Sequence, residues 1–328
     1  MPNSIVIPVR NQREQLRRCL KALESQLGRD ELIVVDDASS DGSGDVAREF
    51  GAMVITLQNR QGPAEARNAG AARALGELLL FTDADCEPAP DWCRELARAL
   101  EPPTVAAAYG VYRTRQKNWV ARLSQLEFEE RYARLAGRQS IDFFATHCAV
   151  VRRWVFRQAG GFRSDLRGNE DVELAFRLSA RGDRLAFAPR AAVYHEHPSN
   201  VLSYLAVKFS RGYWRTVAYA AHPGKVVSDA YTPPGLKLQV ALMALSFVLI
   251  LALRLHPLLP VVFAGTVLLW VAAGLPFAWF VARREFALAL PALVFAWLRS
   301  YALAAGSVVG TLALLLGRHR VTKKRPAV

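Results

Sequence analysis

From Pro257 to Ala282 the chain runs 26 residues without a charged side chain. That exceeds the ~20 apolar residues needed to cross the hydrocarbon core of a bilayer. Three more uncharged stretches surround it: Leu238–Leu253 (16 residues), Phe286–Leu298 (13) and Ser300–Gly317 (18). All are apolar on every face rather than along one stripe, which suits lipid better than a soluble helical bundle. The longest spans comfortably, and the first spans if Gly235–Gln239 contributes. The third is short, and Arg299 separates it from the fourth. Pro233-Pro234-Gly235 marks a boundary, so residues 231–328 are expected to form a C-terminal α-helical membrane region with a basic tail.

Charge placement agrees. Residues 236–328 hold ten Lys/Arg and one acid, carrying +9 of the formal net charge of +13, and the first 235 residues carry only +4. Arg283-Arg284 and the tail Arg318–Arg325 favour the cytoplasmic side of a membrane and hence an even number of crossings. A multi-pass protein of the inner, or cell, membrane is expected. Basic charge beside apolar spans, with no nucleic-acid-binding motif, argues for lipid and against nucleic acid as the partner. Cys19, Cys86, Cys93 and Cys148 form no CxxC pair and have no partnering histidine spacing, so neither a zinc site nor a disulfide framework is expected. The strand-like Ser4-Ile-Val-Ile-Pro-Val9 follows Met1-Pro2-Asn3 directly. With no basic segment ahead of an apolar core, no secretory signal is expected, and the N-terminal domain is placed in the cytoplasm.

Residues 1 to about 110 alternate strand and helix signals. Ser4–Val9, Glu31–Asp36, Ala52–Gln58 and Leu78–Thr82 read as strands. Between them Gln12–Leu27, with Leu16, Leu20, Leu23 and Leu27 on one face, Asp45–Phe50 and Pro63–Leu75 read as helices. Such alternation means parallel crossovers with both sheet faces covered, and ligands then bind beyond the carboxyl ends of the strands. That places the chemistry at Pro8–Asn11, Asp36–Ser43 and Asp83–Cys86. Further on, Tyr112–Arg138 reads as a polar helix and Phe143–Val151 as a strand. Glu170–Gly182 then reads as a helix, Ala186–Tyr194 as a strand, and Ser203–Tyr219 as an amphipathic helix.

Four acidic or histidine pairs mark these elements. Asp83 and Asp85 end an apolar strand, where two carboxylates can approach one hard cation such as Mg²⁺ or Mn²⁺, or simply cap a turn. Asp36-Asp37 can accept from a nucleobase or ribose, or form an Asx-turn. Glu170-Asp171 opens a helix, where acids complement the dipole and where a general base can also sit. His195 and His197 follow a strand and suit either a metal or a hydrogen-bonded strand end. On the helix Ser203–Tyr219, the basic residues Lys208, Arg211 and Arg215, with Tyr213-Trp214, suit either a solvated face or a membrane surface with an anionic lipid phosphate.

Taken in order, these segments resemble family 2 glycosyltransferases of GT-A fold. The resemblance rests on Ser4-Ile-Val-Ile-Pro-Val-Arg-Asn11, Val34-Val-Asp-Asp-Ala-Ser-Ser-Asp-Gly-Ser43, Gly62-Pro-Ala-Glu-Ala-Arg-Asn-Ala-Gly70 and Phe81-Thr-Asp-Ala-Asp85. Val150–Phe162, Glu170-Asp171 and His195 continue it, over about residues 3–220. It implies an α/β fold, a Rossmann-like nucleotide-diphospho-sugar transferase domain over residues 1–230, ahead of the membrane region 231–328. It implies a nucleotide-sugar donor, a lipid-linked or saccharide acceptor and a divalent cation, Mg²⁺ or Mn²⁺. Pro8, Arg10, Asp37 and Arg67 would line the nucleotide pocket. Asp85, with Asp83 in support, and His195 would hold the cation. Asp171, beside Glu170, would deprotonate the acceptor for a single displacement that inverts the anomeric centre. Arg211, Trp214 and Arg215 are candidates for an acceptor or lipid phosphate.

Two departures matter. Arg10 stands where the family usually has an aromatic, and the QxxRW motif of processive synthases is absent. The chain is therefore expected to be a membrane-anchored, cytoplasm-facing hexosyltransferase of cell-envelope polysaccharide assembly, with a polyprenyl phosphate as the alternative acceptor. A non-catalytic nucleotide-sugar-binding scaffold would have no need for both Asp85 and Asp171.

Overall fold

A computed structural model describes residues 2–227 and 229–319. Two compact units form: residues up to 115 with 134–196, and residues 116–133 with 197 onward. The sequence boundary at Pro233 falls inside the second unit, because two helices that precede it pack with the apolar ones.

The first unit begins with β1 (Ser4–Val9), α1 (Arg13–Glu24), β2 (Glu31–Asp36), α2 (Ser43–Glu49), β3 (Met53–Thr56), α3 (Pro63–Arg73) and β4 (Leu78–Phe81). Next come β5 (Cys86–Pro88), α4 (Trp92–Ala99) and β6 (Val105–Arg113). Helix α5 (Trp119–Leu135) lies mostly in the second unit, and the chain returns through β7 (Ala149–Arg152), α6 (Arg153–Gln158), α7 (Glu170–Ala180) and β8 (Arg184–His195). All eight strands join one sheet in the order β3-β2-β1-β4-β7-β6-β8-β5. The β3-β2-β1-β4 half is parallel, as expected from the strand–helix alternation, whereas β7 is antiparallel to β4 and β6, and β5 is antiparallel to β8.

Residues 112–113, expected to begin a helix, instead complete β6, an apolar strand whose small residues Ala106, Ala107 and Ala108 left no strand signal. The expected strand Phe143–Val151 is shorter. It starts at Ala149, after a single turn of 3₁₀ helix at Thr146–Cys148.

Apolar runs on the strands fill both faces of the sheet. Ile5, Val6 and Ile7 of β1 and Ile33, Val34 and Val35 of β2 are inaccessible to solvent. Helix α1 covers one face with Leu16, Cys19, Leu20 and Leu23, the period the sequence predicted. Helix α3 lies against β1 and β2 so closely that a Cβ at Gly70 would collide with Val6 Cγ1 and crowd Val35 Cγ2. This approach sets the position of Arg67, one turn earlier on the same helix.

The second unit adds α8 (Val201–Ala221), α9 (Gly224–Val227), α10 (Pro234–Ala252), α11 (Leu259–Ala282) and α12 (Ala289–Leu315) to most of α5. Val120, Leu123 and Leu126 of α5 share a core with Tyr204 of α8, Phe277 and Val281 of α11, and Phe295 of α12. Among the described residues three helices are long and apolar enough to cross a membrane: Pro234–Ala252, Leu259–Ala282 and Phe286–Leu315. An even number was favoured by the charges, and the two last uncharged stretches were expected to be separate. Arg299 does not break them, because its guanidinium is buried and bonds Glu127 (3.0 Å) and Gln239 (3.4 Å), so α12 continues through it. Glu127 also binds Lys208, whose ammonium lies inside a hydrogen bond, and accepts from the Tyr204 hydroxyl at 2.5 Å. Helix α8 runs along α12, with Gly306 against the Phe209 carbonyl and Gly212 against the Leu303 carbonyl. Of the basic tail Arg318–Arg325, residues 320–325 lie outside the described residues.

Gly70→Leu is expected to destabilise the first unit by about 1–3 kcal/mol through overpacking against β1, read as a lowered thermal midpoint.

Candidate active site

The parallel register fixes which residues can meet. Val9 pairs with Asp36 and Val6 with Phe81, so Arg10, Asp37 and Asp83 all emerge at the carboxyl ends of adjacent strands. Pro8 sits in the last turn of β1, opposite Val35. The Arg10 guanidinium donates to the Asp37 carbonyl (2.6 Å) and the Ala38 carbonyl (3.2 Å), tying the first two strand ends together. The buried Asp37 carboxylate accepts from the backbone N–H groups of Gln61 (2.6 Å) and Gly62 (2.9 Å), which open α3. Asp36, beside it, turns its carboxylate onto the Ser39 N–H at 2.8 Å and acts as the Asx-turn residue.

Arg67 joins the remaining pieces. It is 4 % exposed, and its guanidinium bonds Asp83 Oδ1 (2.5 Å) and Glu170 Oε1 (2.6 Å). Burial works against its charge, yet Asp83 and Glu170 more than offset this and hold its proton more tightly than an ordinary arginine's. Burial pushes the Glu170 carboxyl up, the neighbouring Asp171 adds to the shift, and Arg67 opposes it. The strand-end acids and the helix-start acids, distant in sequence, therefore share one guanidinium. Asp171 follows Glu170 in the first turn of α7, and its carboxylate accepts from the N–H of Val172 (2.7 Å) and of Thr146 (3.3 Å).

The second cluster comes from sheet pairing. Strand β5 runs antiparallel to β8, with Cys86 opposite His195, so Asp85 lies beside the His195 ring, Oδ1 to Nδ1 at 3.9 Å. The imidazole stacks on Tyr112 (centroids 4.8 Å apart), which in turn stacks on His147 at 3.5 Å. Ligand atoms of Asp85, Cys86 and His195 lie within 4.8 Å of one another. Burial, then Asp83, raises the Asp85 carboxyl, while His195 opposes the shift. A carboxylate whose proton affinity is raised by burial and by a neighbouring acid gains from a bound divalent cation. Asp85 oxygen and His195 nitrogen fit Mg²⁺ or Mn²⁺. Cys86 fits less well: burial, with Asp85 and Asp83, holds its thiol well above the ordinary range, so it stays protonated.

Backbone strain marks the same places. Among the described residues the non-glycine residues with positive φ are Asn11 (49°), Ala38 (57°) and Asn169 (58°). They adjoin Arg10, Asp37 and Glu170 respectively, and strain of this kind gathers at functional sites. The Asn169 side-chain amide is buried with no hydrogen-bond partner for Nδ2 among the described residues, a donor next to the two acids. Tyr112, His147 and Asn169 escaped the sequence reading: the pairing of β6 with β8 brings Tyr112 in, and His147 joins through its stack on Tyr112 from the 3₁₀ turn.

The structure thus groups Arg67, Asp83, Glu170 and Asp171, groups Asp85 with His195, and joins Arg10 to Asp37. The remaining candidates, Arg211, Trp214 and Arg215, lie on α8 in the second unit. Trp214 packs edge-on to Tyr213, and Arg215 lies over the Tyr231 ring at 4.2 Å. Because Arg67→Met would leave two carboxylates without their buried partner, it is expected to cost about 3–5 kcal/mol in chemical denaturation of the first unit, with Arg67→Lys recovering only part.

Residues 4–160 match the model for the family described as "Glycosyl transferase family 2". Over 231 residues the chain is 31% identical to the pre-mycofactocin glycosyltransferase of Mycobacterium tuberculosis, an alignment covering 68% of this chain and 48% of that protein. It is 28% identical over 199 residues to glycosyltransferase AglE of Haloferax volcanii, covering 56% of this chain and 64% of the relative. The chain spans about half the length of the first relative and less than two thirds of the second. Among solved structures it is similar to the mannosyltransferase PcManGT from Pyrobaculum calidifontis in complex with GDP-Man and Mn²⁺. The TM-score is 0.62 at 24% identity, over 97% of this chain and 88% of that one, a likeness of fold. With the mixed sheet and the strand-end acids above, these matches show that the chain carries a family 2 glycosyltransferase domain of GT-A-like fold, followed by three candidate membrane spans.

Proposed function

We propose that the chain transfers a sugar from a nucleotide-sugar donor to a lipid-linked or saccharide acceptor, inverting the anomeric centre, in a divalent-cation-dependent reaction. The observation that supports this reading is the Arg67 bridge, which ties Asp83, two residues before Asp85, to Glu170, the neighbour of Asp171.

In this reading each group has one task. Arg10 and Asp37, with Pro8 one residue before the end of β1, shape the rim that receives the nucleotide. Arg67 neutralises Asp83 and Glu170 and fixes their positions. Asp85 and His195 hold the cation, which when bound supplies charge neutralisation for the departing diphosphate. Asp171 takes the proton of the acceptor hydroxyl.

In this reading the catalytic unit faces the cytoplasm. If α10 and α11 both cross, the basic pair Arg283-Arg284 returns to the side from which α10 departed, and basic loops favour the cytoplasm.

The tests use purified full-length protein in phospholipid nanodiscs and a panel of UDP-, GDP- and dTDP-sugars. One donor class is expected to raise the thermal midpoint, and more so with Mn²⁺ present. Asp171→Asn should lower transfer by about 10²–10⁴-fold, the usual contribution of general-base catalysis, while leaving donor stabilisation intact. Asp85→Ala should abolish the Mn²⁺-dependent part of that stabilisation. Loss of donor binding in Asp171→Asn equal to its loss of transfer would overturn the assignment of the base. Absence of stabilisation by every donor, with or without metal, would overturn the reading.

A further inference from the structure

Within the second unit lies a cavity of about 480 Å³, unrelated to the cluster of acids described above. Its lining has two kinds of surface. Leu236, Val240 and Ala244 of α10 and Leu303, Val308 and Leu312 of α12 are apolar and belong to helices that can cross a membrane. Arg131 of α5, with Lys208, Arg211 and Arg215 of α8, gives the rest a strongly basic character.

These cations are not all neutralised by the protein. Glu127 is taken by Lys208 and Arg299, and Lys237 pairs with Asp229 at 2.8 Å. Arg131 is 6 % exposed; it donates through Nε to the Tyr231 carbonyl at 3.1 Å, but its Nη1 is buried with no hydrogen-bond partner among the described residues. The Nη1 of Arg215 is in the same condition. Both guanidinium groups pack on the Tyr231 ring, 3.7 and 4.2 Å from its centroid, so the two unsatisfied donors belong to side chains that share one neighbour in the cavity lining. Burial would push the Tyr231 phenol up, yet Arg131, Arg211, Arg215 and Lys208 pull it down to about 8. The lining also holds the carboxylates of Glu127 and Glu130, but its cations outnumber them, so the cavity is net basic, and Nη1 of Arg131 and of Arg215 has no hydrogen-bond partner among the described residues. A buried guanidinium donor left unpaired is unfavourable, and a group offering several anionic oxygens removes that cost.

We propose that this cavity binds a lipid phosphate, the phosphate meeting Arg131 and Arg215 and the hydrocarbon chain lying along α10 and α12. Charge complementarity selects the head, and the apolar wall on two candidate spans selects an amphiphile over a soluble anion. The proposal stands on the second unit alone and holds whether or not the transfer reaction above is correct.

The test measures binding of radiolabelled hexadecyl phosphate to the full chain in phosphatidylcholine nanodiscs. Unlabelled hexadecyl phosphate should displace the label, while hexadecanol and inorganic phosphate at the same concentration should displace at least tenfold less. Arg131→Gln combined with Arg215→Gln should weaken binding at least tenfold. Ala244→Trp, which fills the apolar wall and leaves both arginines in place, should do the same. The helical circular dichroism and thermal midpoint of each variant, measured on the same samples, report whether it is folded. Equal displacement by hexadecanol would overturn the headgroup assignment, and equal displacement by inorganic phosphate would mean a free-anion site and overturn the lipid assignment. Undiminished binding in both folded variants would overturn the location.

Discussion

The buried guanidinium of Arg67 is the constraint on which the rest of the catalytic unit depends. A charge removed from water persists only when paired and hydrogen-bonded, and here two carboxylates from different parts of the chain do this. The pairing divides the acids into two classes. Asp83 and Glu170 are committed to Arg67 and set geometry, while Asp85 and Asp171, next to them in sequence, face other partners. One arginine thus divides each acidic motif into a member that it holds and a member that it leaves to other partners. The close seating of Gly70 on β1 serves the same end, since it fixes the helix from which Arg67 reaches out.

Much of this was legible in the sequence, and for a physical reason. Parallel strands covered on both faces must be continuously apolar, so Ser4–Val9, Glu31–Asp36 and Leu78–Phe81 could be read directly, with Asp37 and Asp83 at their ends. Helix α7 and the start of its acidic first turn were equally plain. The antiparallel half of the sheet was harder. Strand β5 is three residues long and pairs with β8 about a hundred positions later, so no local pattern announces that His195 will stand beside Asp85. The resemblance to a family supplied that pairing before geometry did. Alanine-rich β6 carried too little bulk to signal a strand, which is why residues 112–113 were assigned to the helix that follows.

Arg299 shows the limit of reading charge without partners. Within an apolar run it looked like a break between two membrane segments. An arginine side chain leaves the backbone hydrogen bonds of a helix intact, and the cost of its charge is offset wherever a carboxylate waits, as Glu127 does on α5. The same pairing explains why α5 and α8 belong with the apolar helices rather than with the sheet: Glu127 on one and Lys208 on the other complete the cluster.

The two units therefore apply one principle with opposite sign. Around Arg67 a single cation faces two carboxylates, and adding Asp85 and Asp171 leaves a surplus of negative charge that a divalent cation would neutralise. Around Glu127 a single carboxylate faces two cations, and adding Arg131, Arg211 and Arg215 leaves a surplus of positive charge that an anion would neutralise. In each unit the interaction that stabilises the fold also determines the sign of the ligand it can accept.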